Sequence, residues 1–297
     1  MSAASAGLLP GQQSAIPPKR RRRKLQSSRE AGPVVYAALV VIVLVSIFPL
    51  YYILVTATRS NAEMNTRHPP MTPGPNLLEN IASAMEQANI PLALFNSAWV
   101  AALVAAGAVL TSTMAGFALS QLGMKYEGTW LGAVMGTMMV PLQLGVIPLF
   151  IFMAALNLVG NPLAVVLPYL TAAFGVFFMR QYLAQAMPKA LLEAARVDGA
   201  STRKIFWSIV IPIASPGMAV LAMLTFMQAW NEFFWPIIAL NPSNPTVQVA
   251  ISQLGQGYVH DQSVIMAGVF VCTMPVIIAF ILLGKRITSG IVEGAVK

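Results

Sequence analysis

MPKALLEAARVDGASTRKIFWSIVIP, residues 187–212, decides how the rest of this chain is read. It lies between two apolar runs, yet it is the most polar stretch of the second half. Pro188 suits the first turn of a helix, where a missing N–H costs nothing. The spacing predicts a helix over Lys189–Asp198, with Leu191, Leu192 and Ala195 along one side. Gly199 is the expected left-handed stop. Ser201 can cap a second helix, whose apolar face begins with Ile205, Phe206 and Ile209. The product is a short helix, a tight turn and a helix that leads into an apolar run. Ala194 and Ala195 are small enough to let another surface approach closely.

Working outward, the chain has 297 residues, 57% of them hydrophobic and 9% charged. That composition excludes an ordinary soluble domain and points to a polytopic membrane protein. A single cysteine, Cys272, excludes an intrachain disulfide and a cysteine-rich metal site. His68 and His260 lie far apart, with no third ligand near either, so no metal site is expected. The formal charge of +8 could suggest nucleic acid, but with so apolar a chain it belongs to membrane topology.

Residues 1–32 form a polar tail carrying Lys19, Arg20, Arg21, Arg22, Arg23, Lys24 and Arg29, expected to be disordered, cytoplasmic and in contact with anionic lipid. The apolar run that follows is too long for a signal peptide, and no small-residue cleavage site comes promptly after it, so an uncleaved span is expected. Six apolar segments approach the ~20 residues that cross a bilayer. They are Val34–Ala57, Leu94–Leu119, Thr129–Met153, Leu163–Tyr182, Ser208–Trp230 and Ser263–Leu283. All but the second contain proline, which kinks a helix and frees carbonyls that neighbours must satisfy. Gly132 and Gly136 offer a small-residue face for close helix contact. With the N-terminus inside and six alternating spans, sixteen of the eighteen Lys and Arg residues fall inside, and only Arg59 and Arg67 fall outside. The positive-inside rule then puts both termini and residues 187–212 in the cytoplasm.

Two outer loops result. Residues 58–91 are acidic and proline-rich, with Glu63, Glu79 and Glu86; residues 236–262 include Asn241-Pro242-Ser243-Asn244-Pro245 and are longer than a simple turn needs. Just before the second loop runs Gln228-Ala-Trp230-Asn231-Glu232-Phe-Phe-Trp235-Pro236. An aromatic face stacks on sugar C–H surfaces and an amide both donates to and accepts from hydroxyls. An interfacial aromatic belt accounts for the same tryptophans equally well. Glu232 is costly within a membrane and is therefore a functional candidate. Asn96, Ser97 and Gln143 are further polar positions that could face a pathway. No Gly-x-x-x-x-Gly-Lys-Ser/Thr phosphate loop, Gly-x-Ser-x-Gly elbow or His-Glu-x-x-His helix occurs.

Glu193-Ala194-Ala195, Gly199 after three residues, and Ile209-Val210-Ile211-Pro212 after nine more resemble the EAA loop of binding-protein-dependent ABC importer permeases, with Ile211 where Leu is usual. A generic amphipathic connector would not need that spacing. The resemblance implies a coupling helix docked in a cleft of an ATP-hydrolysing subunit, with Glu193, Ala194, Ala195, Arg196, Asp198, Gly199 and Pro212 as coupling residues. The Trp230–Pro236 segment resembles that of carbohydrate permeases, which implies a substrate pathway at Gln143, Gln228, Trp230, Asn231 and Glu232. In the maltose-type permeases that the chain resembles, the loop matching 236–262 reaches toward the sugar-binding protein. The C-terminal Gly290-Ile-Val-Glu293-Gly294-Ala-Val-Lys297 resembles the maltose-type tail, which lies between two ATPase subunits.

The expectation is an all-α integral membrane protein, a six-helix ABC importer type I permease bundle over residues 33–290. The coupling loop would be 187–207, with a cytoplasmic tail at 291–297. It would be a multi-pass permease subunit of the bacterial inner membrane, importing a di- or oligosaccharide. The implied partners are a second permease, two ATPase subunits that hold ATP and Mg, an extracytoplasmic sugar-binding protein and the lipid bilayer. No cofactor or nucleic acid is expected for this chain, and no enzymatic activity of its own. The alternatives are an ABC permease for another small solute and a polytopic membrane enzyme.

Overall fold

The computed structural model describes residues 32–256 and 260–295. The basic tail to residue 31 and the final Val296 and Lys297 lie outside the described residues. All regular structure among those described is helical. In chain order the helices are α1 (Pro33–Ala57), α2 (Asn61–Met64), α3 (Leu77–Ala88), α4 (Ile90–Gln121), α5 (Glu127–Thr137), α6 (Val146–Ala155) and α7 (Leu163–Val166). They continue with α8 (Ala173–Ala186), α9 (Lys189–Val197), α10 (Thr202–Ile205), α11 (Ile211–Asn231), α12 (Phe234–Ala239), α13 (Val247–Leu254) and α14 (Gln262–Ala295).

Among the described residues, three helices are long and apolar enough to cross a membrane: α1, α4, and the continuous run Thr202–Asn231 that joins α10 to α11. Taking α7 and α8 as one span bent by 44° gives a fourth. Proline explains the difference from six uniform segments. The third segment stops before Pro141 and restarts through a 3-10 turn, Leu142–Gly145, into α6. The fourth breaks just after Pro168. The fifth stays continuous because Phe206–Val210 winds as a π-helix, where the Ile211 N–H reaches the Phe206 carbonyl. That wide turn shifts the hydrogen-bond register where Pro212 has no N–H to give. Pro216 frees the Pro212 carbonyl, and the Ser215 hydroxyl donates to it at 2.9 Å. The last helix, α14, continues past residue 290 to Ala295, so the expected tail begins as helix.

Helix α4 is the axis of the core. Its buried positions recur as Ala93, Asn96, Val100, Val104, Ala108, Ser112 and Gly116, a stripe that faces α8 and α11. At Gly116 the helix lies directly against α8 backbone: a Cβ there would lie 2.7 Å from the Arg180 nitrogen and 2.8 Å from the Met179 carbonyl carbon. Gly132 and Gly136 differ, since nothing among the described residues lies within 4 Å of a Cβ added at either. At one end of the bundle Val109, Phe117, Met179 and Leu183 join Leu192, Ile205 and Phe206 in one apolar cluster.

At the other end the connecting segments fold onto the helix ends. Trp235 is 1% exposed and its indole N–H donates to the Ala164 carbonyl at 2.9 Å. Asn96 donates to the Asn244 side chain at 2.8 Å and the Pro245 carbonyl at 2.9 Å, and the Ser97 hydroxyl accepts from the Val247 N–H. These two polar residues therefore anchor the 241–247 loop and are not turned to a pathway. They are buried because the loop brings the partners that water would otherwise supply. Only the loop tip, Asn241–Ser243, is exposed. Arg59 organises the loop after α1, donating to Glu63, to the Thr72 carbonyl and to the Thr72 hydroxyl. Ser60 and Glu63 form a reciprocal capping box on α2.

Candidate functional site

Two places bring the candidate residues together. The first is the turn between α9 and α10. Pro188 precedes α9 in an extended conformation, and Asp198 closes it. Gly199 has φ +76°, the left-handed conformation expected of it. The Gly199 N–H bonds to the Arg196 carbonyl at 3.0 Å and the Ala200 N–H to the Ala195 carbonyl at 2.9 Å. That pair of bonds is a Schellman stop, which satisfies carbonyls left orphaned at the helix end. Ser201 then caps α10 by accepting from the Lys204 N–H.

Leu192 and Ala195 seat α9 on the cluster of Leu183, Met187, Ile205 and Phe206. Leu191 is 40% exposed, one residue round from the buried side on which the pattern placed it. Glu193, Ala194, Arg196, Asp198 and Gly199 are all exposed, as is Pro212 one residue into α11. None of these charged side chains forms an ion pair among the described residues. Val197 stands 87% exposed beside them, so the free face of α9 mixes apolar and charged groups. Sequence reading passed over Val197, although its place three residues after Ala194 puts it on that face.

The turn is tied to the bundle by groups outside the stretch itself. Gln121, at the end of α4, is 7% exposed and its amide donates to the Leu183 carbonyl at 3.0 Å and the Met187 carbonyl at 3.3 Å. Those carbonyls belong to the last turn of α8 and the residue after it; the Leu183 carbonyl also accepts the Met187 N–H at 3.1 Å, so Gln121 adds a second bond there. Close by, Arg180 on α8 pairs with Glu127 on α5 at 2.5 Å. The chain leading into α9 is thus bonded to α4 and, through α8, to α5.

The second place is a cleft of about 300 Å³ between α4, the α7–α8 break and α11. Thr225 and Gln228 line it from α11 and Glu232 from the residue that ends the helix, at spacings of three and four that share one side. Tyr169 and Thr171 line it from the break after Pro168, and Met138 from the stop before Pro141. The proline breaks therefore create the cleft wall. One Glu232 carboxylate oxygen accepts the Trp235 N–H at 3.3 Å, at the start of α12. The Tyr169 hydroxyl lies beside Glu232 but is buried without a hydrogen-bond partner among the described residues.

The other pathway candidates are placed differently. Trp230 points to the far side of α11, is 4% exposed and stacks on Phe226 with ring centroids 5.9 Å apart. It packs with Ala84, Ile90, Val264 and Cys272. Asn231 is exposed and donates to the Met227 carbonyl of its own helix at 2.8 Å. Gln143 is exposed in the 3-10 turn and does not line the cleft.

Residues 108–292, from the second half of α4 through most of α14, match the binding-protein-dependent transport system inner membrane components. The chain belongs to that family. The matched region of the permease holds the α9–α10 turn and most of the cleft wall. The arabinooligosaccharides transport system permease protein of Halalkalibacterium halodurans is 30% identical, over 86% of this chain and 93% of its own. The lactose transport system permease protein of Rhizobium radiobacter is 30% identical, over 88% and 95%. The sulfoquinovosyl glycerol transport system permease protein of Agrobacterium fabrum is 32% identical, over 89% and 94%. A chain of a bacterial ABC transporter involved in the import of the acidic polysaccharide alginate shares the fold, with a TM-score of 0.71. That match covers 85% of this permease and 95% of the other chain at 22% identity. The permease is therefore a multi-pass membrane transport component, and its family is not one of enzymes.

Proposed function

We propose that this permease is the membrane subunit of an ATP-driven importer that moves a di- or oligosaccharide from an extracytoplasmic binding protein into the cytoplasm. The observation that carries the proposal is the α9–Gly199–α10 turn. It is a rigid, capped helix that keeps its charged and small residues unpaired on a free surface. The names of the arabinooligosaccharide and lactose relatives support the sugar. The partners are a second permease, two ATPase subunits that hold ATP and Mg, and a sugar-binding protein. No phosphate-loop sequence exists in this chain, so hydrolysis belongs to the ATPase subunits.

In this reading residues 187–207 are the coupling loop of a permease domain over 33–290. Both termini lie in the cytoplasm, six segments cross the membrane, and the broken third and fourth segments each count as one span. Glu193, Ala194, Arg196 and Asp198 meet the ATPase cleft, Ala195 seats the helix on the bundle behind them, and Gly199 and Pro212 fix the angle of approach. ATPase closure moves α9. The bonds of Gln121 and Arg180 carry that movement into α4, α8 and α5, and the cleft beside α11 alternates between the two sides. Gln228 and Glu232 meet the sugar hydroxyls there, and Tyr169 and Phe174 offer ring faces. Asn231 and Gln143 stand along the same route, with Trp230 holding α11 from behind.

A tagged chain purified from its native membrane should bring with it a second permease and ATP-hydrolysing subunits. Recovery of the chain alone, in detergent that preserves other membrane complexes, would overturn the assignment.

A further inference from the structure

Carbohydrates reach a membrane importer either uncharged or as anions bearing carboxylate, sulfonate or phosphate. The charge of the cleft distinguishes between them. Glu232 is the only Asp, Glu, Lys or Arg between Lys204 and Asp261, and none occurs between Glu86 and Lys125 or between Glu127 and Arg180. Among the residues lining the cleft it is the one formal charge, and no Lys or Arg lines it. The remaining polar groups there are the hydroxyls of Tyr169, Thr171 and Thr225 and the Gln228 amide. Both hydroxyls and amides can donate to and accept from a polyol.

We infer that the cleft admits uncharged sugars and rejects anionic ones, and that Glu232 is the residue that sets this discrimination. The inference rests on the reading of the cleft as the pathway. A carboxylate in a poorly polarisable surrounding repels a second negative charge strongly, because little water is present to screen it. An anion would also lose its hydration in a cleft whose wall from this chain offers no cation in return. An uncharged sugar meets neither cost, and the second oxygen of Glu232 accepts from its hydroxyls. The Glu232 carboxylate is held at the cleft wall by the Trp235 backbone N–H, which donates to one of its oxygens.

The test uses charge-matched thiol reagents, so that the specificity of the binding protein plays no part. Cys272 is the only cysteine of this chain, and Cys272→Ser removes it, so that labelling read on this chain after its separation from the other subunits reports the introduced thiol alone. Thr171→Cys then places one thiol on the cleft wall. Its labelling is timed with uncharged 2-hydroxyethyl methanethiosulfonate and with anionic 2-sulfonatoethyl methanethiosulfonate, each normalised to its rate with free cysteine. The anionic reagent should be at least tenfold slower than the uncharged one. Adding Glu232→Gln, which keeps an oxygen for the Trp235 N–H but removes the charge, should shrink the difference to under threefold. If both reagents label equally fast with Glu232 present, the charge inference fails and the pathway reading stands. If the difference survives Glu232→Gln, Glu232 is not its source and the inference fails likewise. If neither reagent labels in any nucleotide state, the cleft is not a water-accessible pathway, and both readings fall.

Discussion

Glu63 shows how much one side chain can do on the loop after α1. Its carboxylate accepts from the Ser60 N–H, the Ser60 hydroxyl and Arg59. The backbone bond from Ser60, first, and then the Ser60 hydroxyl and the Arg59 charge hold its pKa below the ordinary 4.5. The depressed folded value means that the contribution of Glu63 is fully present above about pH 4.5 and is lost as pH falls through that lowered value. Protection of the Ser60 and Gly74 amides from hydrogen exchange, corrected for intrinsic rate, should therefore fall on acidification. Glu63→Gln should lower it at neutral pH; unchanged protection in the variant would show the hook to be idle. The capping box was available in Ser60-Asn-Ala-Glu63, but the partnership of Arg59 with Thr72 was not, because thirteen residues of proline-rich loop separate them. Gly199 was legible for a simpler reason: helix, stop and cap are all local.

At the scale of elements, prolines decided what composition could not. The apolar runs marked where helices lie, yet Pro141 and Pro168 split two of them while Pro212 and Pro216 left a third continuous. The difference lies in what takes up the freed carbonyls. A π turn and the Ser215 hydroxyl repair the Thr202–Asn231 run, whereas the third and fourth segments bend and expose Met138, Tyr169 and Thr171 to a cleft. Tyr169 was therefore missed from the candidate site, and the proline one residue before it was the only signal. Trp230 was picked for its chemistry, but the helical period puts it on the face opposite Gln228 and Glu232. Gly116 marks a tight crossing, where α8 backbone atoms leave no room for a side chain. Gly116→Val should destabilise the chain by about 1–3 kcal/mol, the usual cost of overpacking. Thermal unfolding of the purified importer in detergent measures it. A midpoint equal to that of the unaltered protein would mean that α4 and α8 sit farther apart.

At the scale of the molecule, the EAA spacing and the family match agree on a transport permease, and the fold agrees with that of an importer chain. The proposed orientation rests on the charge asymmetry of the sequence. A protease-cleavable tag on either terminus should survive protease in intact cells and be cut in inverted membranes. Cleavage of the C-terminal tag from outside would refute six spans. The face of α9 draws its meaning only from this larger frame. Within the chain, Glu193, Arg196 and Asp198 bond to no opposite charge among the described residues, which leaves them free for the ATPase surface proposed above.

The most direct test of coupling is Gly199→Val in vesicles that contain the complete importer. Nothing lies within 4 Å of a Cβ added at Gly199, so the strain comes from φ +76° alone. That strain is about 1–2 kcal/mol for a residue with a side chain, too little to unfold a bundle held in lipid. The turn sets the angle at which α9 leaves the membrane domain, and a changed angle misaligns the surface offered to the ATPase. The protein should reach the membrane in normal amount, retain less ATPase subunit on purification, and show sugar uptake at least tenfold lower per ATP hydrolysed. Normal ATPase association together with normal sugar-stimulated hydrolysis and uptake would contradict the assignment of residues 187–212 as the coupling element.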